Sequence, residues 1–145
     1  MNLRIDSLEI IAALALFGVL VARWQPDGRA ARRGPSAIQL ELLVHDSPGT
    51  GSGPRAITLR LGDGHPGALI GRSGDANVGL VDPEVSRRHA QLQVARGVVY
   101  VNDLGSVNGT FLNGNRIKND GIEVRAGDDI DVGNTRITVT EMAAQ

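Results

Sequence analysis

The sequence predicts an all-β fold, a two-sheet sandwich of many short strands, preceded by one amino-terminal apolar helix. Nineteen glycines stand against only four aromatic residues among 145, a composition of frequent turns around a core of Val, Ile and Leu. From Ala37 onward apolar and polar residues alternate, which is the period of a half-buried strand and not that of a helix. The charge-free run Ile10 to Ala22 has no counterpart in the rest of the chain.

At 15.3 kDa the chain holds one domain with an appendage and is too short for two ordinary domains. Hydrophobic residues at 41% and charged residues at 21% exclude a uniformly disordered chain. A formal net charge of −1 gives no overall reason to expect a nucleic-acid partner. The absence of cysteine rules out disulfides, Cys-containing zinc sites, iron–sulfur clusters and thiol nucleophiles, and fits a reducing compartment.

Three segments follow in order. Residues 1–24 form the expected helix. The thirteen residues Ile10 to Ala22 would cover only about 20 Å, but Leu3 to Trp24 would cover about 33 Å, with Trp24 at one interface. The favoured reading is a single membrane span; a docked helix is the alternative. A cleavable signal is disfavoured because Arg23, Arg29, Arg32 and Arg33 follow the apolar run instead of preceding it. The same arginines would hold the remainder on the cytoplasmic side of the cell membrane. Residues 25–36, basic and containing Pro26, Gly28, Gly34 and Pro35, read as a linker. Residues 37–145 are the folded domain.

Within that domain, Ile38, Leu40, Leu42 and Val44 share one strand face, and Ile57, Leu59 and Leu61 another. The Gly/Ser/Pro-rich stretch 47–54 is a loop between them. Further strands are expected at Ala68 to Gly71, His89 to Ala95, Val98 to Asp103, Thr110 to Leu112, Asn115 to Ile117, Glu123 to Val124, Ile130 to Val132 and Arg136 to Glu141. Asn113-Gly114 is a type I′ hairpin signal, since both central positions need positive φ. The acidic stretch Asp128, Asp129 and Asp131 lacks the oxygen spacing of a calcium loop, and His45, His65 and His89 lack the spacing of metal ligands. No metal and no cofactor are expected.

The residues able to do chemistry sit at strand ends. Arg72 lies just past one expected strand, Ser86-Arg87-Arg88-His89 opens another, and Ser106 to Thr110 connects two more. In a sandwich such loops cluster at one edge. There an arginine, a hydroxyl, a second arginine and an amide suit an anion, because a planar guanidinium holds two phosphate oxygens at once.

Gly71-Arg72, Ser86-x-x-His89 and Asn108-Gly109-Thr110, in that order and spacing, resemble the forkhead-associated (FHA) domain over roughly Ile38 to Glu141. The resemblance implies an eleven-stranded sandwich that binds phosphothreonine in an extended peptide. By position, Arg72, Ser86 and Arg87 would contact the phosphate and Asn108 the peptide backbone. Gly71, His89, Gly109 and Thr110 would shape the loops. Val107 is a departure: it stands where some family members carry a hydroxyl, lies against the peptide, and has no hydrogen bond to donate. The implied partner is a threonine-phosphorylated protein, the substrate of a Ser/Thr kinase, and the implied role is an adaptor without enzymatic activity, which the expected amino-terminal span would tether to the membrane. The alternative is a structural assembly module of a membrane complex that does not read phosphate. An enzyme would have only Ser86 as nucleophile, with no nucleophile-elbow sequence around it.

Overall fold

Alternating burial begins at the first described residue, in a computed structural model that describes residues 37–145 except positions 50 and 52. The expected helix 1–24 and linker 25–36 lie outside the described residues. Among the described residues no helix is long and apolar enough to cross a membrane.

Among the described residues there are eleven strands: β1 (Ala37–His45), β2 (Arg55–Gly62), β3 (Ala68–Gly71), β4 (Val78–Gly79), β5 (Ala90–Ala95), β6 (Val98–Asp103), β7 (Thr110–Leu112), β8 (Asn115–Arg116), β9 (Ile122–Val124), β10 (Asp129–Val132) and β11 (Thr135–Ala144). They form a six-stranded sheet in the order β2-β1-β11-β10-β7-β8 and a five-stranded sheet in the order β4-β3-β5-β6-β9. Pairing is antiparallel except between β3 and β4. The all-β sandwich with about eleven strands is therefore the architecture found.

Each strand turns one face inward. In β1 the residues Ile38, Leu40, Leu42 and Val44 are buried while their neighbours are partly exposed. They join Ile70, Leu92, Val101, Ile130 and Ile137 in one core fed by both sheets. At about 1.5–3 kcal/mol for each fully buried aliphatic side chain, this core supplies the main driving force for folding. Asn113 and Gly114 have φ of 50° and 80°, the backbone the I′ turn demands, and join β7 to β8.

Three features differ from the sequence expectation. β4 is an additional strand, only two residues long and parallel to β3. His89 precedes β5 instead of opening it. β8 ends at Arg116, leaving Ile117 buried beyond it. The pairing of β1 with β11 also slips between Glu41 and Leu42. Thr140, the extra residue of this bulge, turns its hydroxyl onto the Glu41 carbonyl at 3.0 Å.

Candidate functional site

Three loops meet at one edge of the sandwich, and a glycine sets how closely. A Cβ on Gly71 would stand 2.2 Å from the Arg87 carbonyl oxygen, so the end of β3 and the loop before β5 run backbone against backbone. The Arg72 N–H donates to the Ser86 carbonyl at 3.2 Å and the Ser73 N–H to the Arg87 carbonyl at 3.0 Å. Arg72 Nε continues this seam by donating to the Val85 carbonyl at 2.7 Å. That bond fixes the plane of the guanidinium, whose two Nη groups make no hydrogen bond with the described residues.

Residues 80–89 are held from below by Asp82, which is 1% exposed. One carboxylate oxygen accepts from the Glu84 N–H at 3.0 Å, closing an Asx turn. The other accepts from the Asn134 N–H at 2.6 Å and the Thr135 hydroxyl at 3.2 Å. Burial pushes this carboxyl up, but the bonds from the Glu84 and Asn134 N–H groups, the Thr135 hydroxyl and the Asn134 amide outweigh it and hold the pKa below the ordinary value.

His89 is fully buried and ties two loops together. Its Nδ1 accepts from the Ser86 N–H at 3.0 Å, so Nε2 carries the proton and donates to the Gly109 carbonyl, also at 3.0 Å. The third loop, 104–109, is organised by Asp103. Its carboxylate accepts from the Gly105 and Ser106 N–H groups and from the Ser106 and Thr110 hydroxyls. Here too burial raises the pKa and these hydrogen bonds, led by Ser106, bring it below the ordinary value. Ser106 Oγ passes the order on by accepting from the Gly109 N–H at 2.9 Å.

With the loop so braced, the Val107 N–H donates to Ser86 Oγ at 3.1 Å. The hydroxyl has thereby accepted a bond and keeps its own proton for an outside acceptor. Val107 itself is 84% exposed. Arg87 is anchored through its backbone, and its exposed side chain makes no hydrogen bond or ion pair with the described residues. Asn108 is exposed, and its amide is held by Glu84. Gly109, at φ +87°, lets the chain turn from Asn108 into Thr110, whose buried hydroxyl bonds Asp103 at 2.7 Å.

The arrangement brings Arg72, Ser86, Val107 and Asn108 to one edge, with a guanidinium fork and a hydroxyl proton available to an anion. Among the described residues no cluster of three or more His, Asp or Glu side chains could hold a metal ion. Asp129 and Asp131 are instead paired with Arg136, at 3.5 and 2.7 Å. Arg88, beside Arg87, is turned to Asp75 at 3.6 Å. Sequence reasoning missed Asp82, Glu84, Asp103 and Ser106. The Asp82-Pro83-Glu84 and Asp103-x-x-Ser106 spacings carry Asx-turn signals that would have found three of them.

The family model for the FHA domain matches residues 68–133. The glycogen accumulation regulator GarA of Mycolicibacterium smegmatis is 31% identical over 111 residues, covering 71% of this chain and 69% of GarA. The chain belongs to the FHA family. An oxoglutarate dehydrogenase inhibitor of Corynebacterium efficiens is 36% identical over 85 residues, and the match spans 59% of this chain and 58% of the inhibitor. A solved FHA domain, described in terms of phosphothreonine-dependent interactions, superposes with a TM-score of 0.56 at 33% identity, covering 72% of this chain and 96% of that domain. The matched FHA region holds every residue of the three-loop edge from Gly71 to Thr110.

Proposed function

We propose that this FHA chain is a non-enzymatic adaptor that binds threonine-phosphorylated segments of a Ser/Thr kinase substrate while tethered to the cytoplasmic face of the cell membrane. The observation that carries the reading is the meeting of Arg72 and Ser86. Fourteen positions apart, they are joined by the Arg72 N–H to Ser86 carbonyl bond, with the guanidinium plane set by Val85 and the hydroxyl proton left free by Val107. A phosphate group of about −1.5 to −2 charge gains one to three charge-assisted hydrogen bonds from such donors, which separates the modified from the unmodified partner. Arg87 adds positive charge at the rim.

A binding role is also supported by the state of His89. Its lone pair is spent on the Ser86 backbone N–H and its proton on Gly109, so it does not serve the Ser86 hydroxyl as a base. The membrane tether rests on the apolar run Ile10 to Ala22 and the arginines after it.

Calorimetry with a phosphothreonine peptide and its unphosphorylated twin, against the native chain and Arg72→Ala, tests the mechanism. Binding is expected only for the phosphorylated peptide with the native chain; equal binding in all four combinations rejects it. Alkaline carbonate extraction tests the tether separately, since release into the supernatant removes the span.

A further inference from the structure

We infer that the ligand carries a second anionic group, a carboxylate or a phosphate within a few residues of the phosphothreonine, held by Arg116 and Lys118. This rests on the phosphothreonine reading and adds a ligand class to it.

A cleft of about 830 Å³ opens between the loop 104–109 and the segment leaving β8, with Leu104 and Gly105 on one wall and Arg116, Ile117, Lys118 and Asn119 on the other. The loop forming the first wall is the one that carries Val107 and Asn108, so the cleft and the three-loop edge are two sides of one loop. Arg116 is drawn to that loop: a Cβ on Gly109 would lie 2.7 Å from its Nε and 3.0 Å from its Cζ. Any other side chain at 109 would displace the guanidinium, so Gly109 seats Arg116 beside Asn108 as well as permitting the turn.

Both cations are uncommitted. Neither Arg116 nor Lys118 forms an ion pair with the described residues, and both are exposed. Asp103, the one carboxylate lining the cleft among the described residues, has its oxygens occupied by Gly105, Ser106 and Thr110. Asp120 lines the neighbouring, smaller cleft with the same two cations, without pairing to either. The cleft thus presents positive charge next to an exposed apolar side chain, Leu104, at 37%.

The distance fits one peptide. From the Ser86 hydroxyl through Val107 and Gly109 to Arg116 is at most about 15 Å, taking 3.8 Å per Cα step. An extended peptide rises about 3.3 Å per residue, so the second anion falls within about four residues of the phosphothreonine.

The test is fluorescence anisotropy with the 145-residue chain in mild detergent. Phosphothreonine peptides on an alanine background carry one glutamate or one phosphoserine, walked through the four positions on each side. One position is expected to gain about three- to tenfold with glutamate, and more with phosphoserine if phosphate is the native group. In Arg116→Gln and in Lys118→Gln the ratio of acidic to neutral affinity is expected to fall toward one. If the native chain binds the neutral phosphothreonine peptide and no acidic position gains, the inference is overturned while the phosphothreonine reading stands. If no phosphothreonine peptide binds, both fall together. A gain that persists in both variants places the anion elsewhere and also overturns it.

Discussion

Glu84 grips Asn108 twice: the Asn108 amide nitrogen donates to the Glu84 carbonyl at 2.8 Å and to its carboxylate at 2.9 Å. Both partners are acceptors, so the orientation of the amide is decided. Nitrogen faces Glu84 and Oδ1 faces away, ready to accept from a peptide N–H. Two effects then oppose each other at position 84. The side chain holds the amide, and its charge repels a nearby phosphate. In Glu84→Gln the acceptor survives and the charge is gone, so phosphopeptide affinity is expected to equal or exceed that of the native chain. In Glu84→Ala one of the two bonds is lost, worth about 0.5–1.5 kcal/mol, and affinity is expected to drop about three- to tenfold. Calorimetry on the three proteins reads the order directly.

Arg72 does two jobs at once, which makes lysine a poor replacement. Nε is spent on the Val85 carbonyl, and only a planar fork can hold that bond while offering two further donors in a fixed direction. Arg72→Lys is therefore expected to weaken phosphopeptide binding at least tenfold, about 1.4 kcal/mol, although the charge is kept. Affinity within a factor of two of native would show that charge suffices there.

The sheets were legible because burial has a period. The alternation in β1 and the Asn113-Gly114 turn are local signals, and the alternating strands were found close to their true limits except β11, which runs on to Ala144 past the expected end at Glu141. β4 was not, since two residues paired in parallel with β3 leave no alternation to read. The Thr140 bulge follows from the pairing of β1 with β11, nearly a hundred positions away, and carries no local mark. At the site, Arg72 and Ser86 were legible as anion donors in strand-end loops, and the spacing of a family motif gave them their roles. The long-range pairings that brace them were hidden for a plain reason. Asp82 meets Asn134 and Glu84 meets Asn108 across distances in the chain at which polar residues have no periodicity, and only the folded backbone brings them together.

Gly71 is expected to tolerate no side chain. The atom that its Cβ would strike is a backbone carbonyl, 2.2 Å away, and not the end of a flexible side chain. Gly71→Ala must push β3 from the Ser86–Arg87 loop segment and loosen the bonds made by the Arg72 and Ser73 N–H groups. A loss of about 2 kcal/mol or more in stability is expected, read by denaturant unfolding. A change below 0.5 kcal/mol would mean that the two segments are not held in this register.

His89 joins two loops through one ring, so its removal orphans a donor and an acceptor together. His89→Ala leaves the Ser86 N–H and the Gly109 carbonyl without their partner and opens a buried space. The expected loss is about 3 kcal/mol. The tautomer is checkable without mutation: nitrogen-15 shifts of the native chain at neutral pH should show Nδ1 unprotonated and Nε2 protonated. The opposite assignment would contradict the bridging geometry.

The two bracing carboxylates set the behaviour in acid. Asp82 and Asp103 both sit below the ordinary value of 3.8 in the folded chain. In the unfolded chain they return to it, so near and below pH 4 the unfolded state binds more protons than the native state. Stability therefore rises with pH in that window. Their contribution is full above about pH 5 and is lost as the pH falls through the depressed folded values. Because Asp82 carries the turn beneath Ser86 and Asp103 carries the loop beneath Val107, the loops that face the ligand are expected to loosen in the same window. The native melting temperature should be insensitive to these two groups between about pH 5 and 7 and should fall below pH 4. Asp82→Asn and Asp103→Asn put an N–H₂ group among donors that need an acceptor, so each should melt lower at pH 7 and lose less on acidification. A double variant with the native acid slope would assign that slope to other carboxylates.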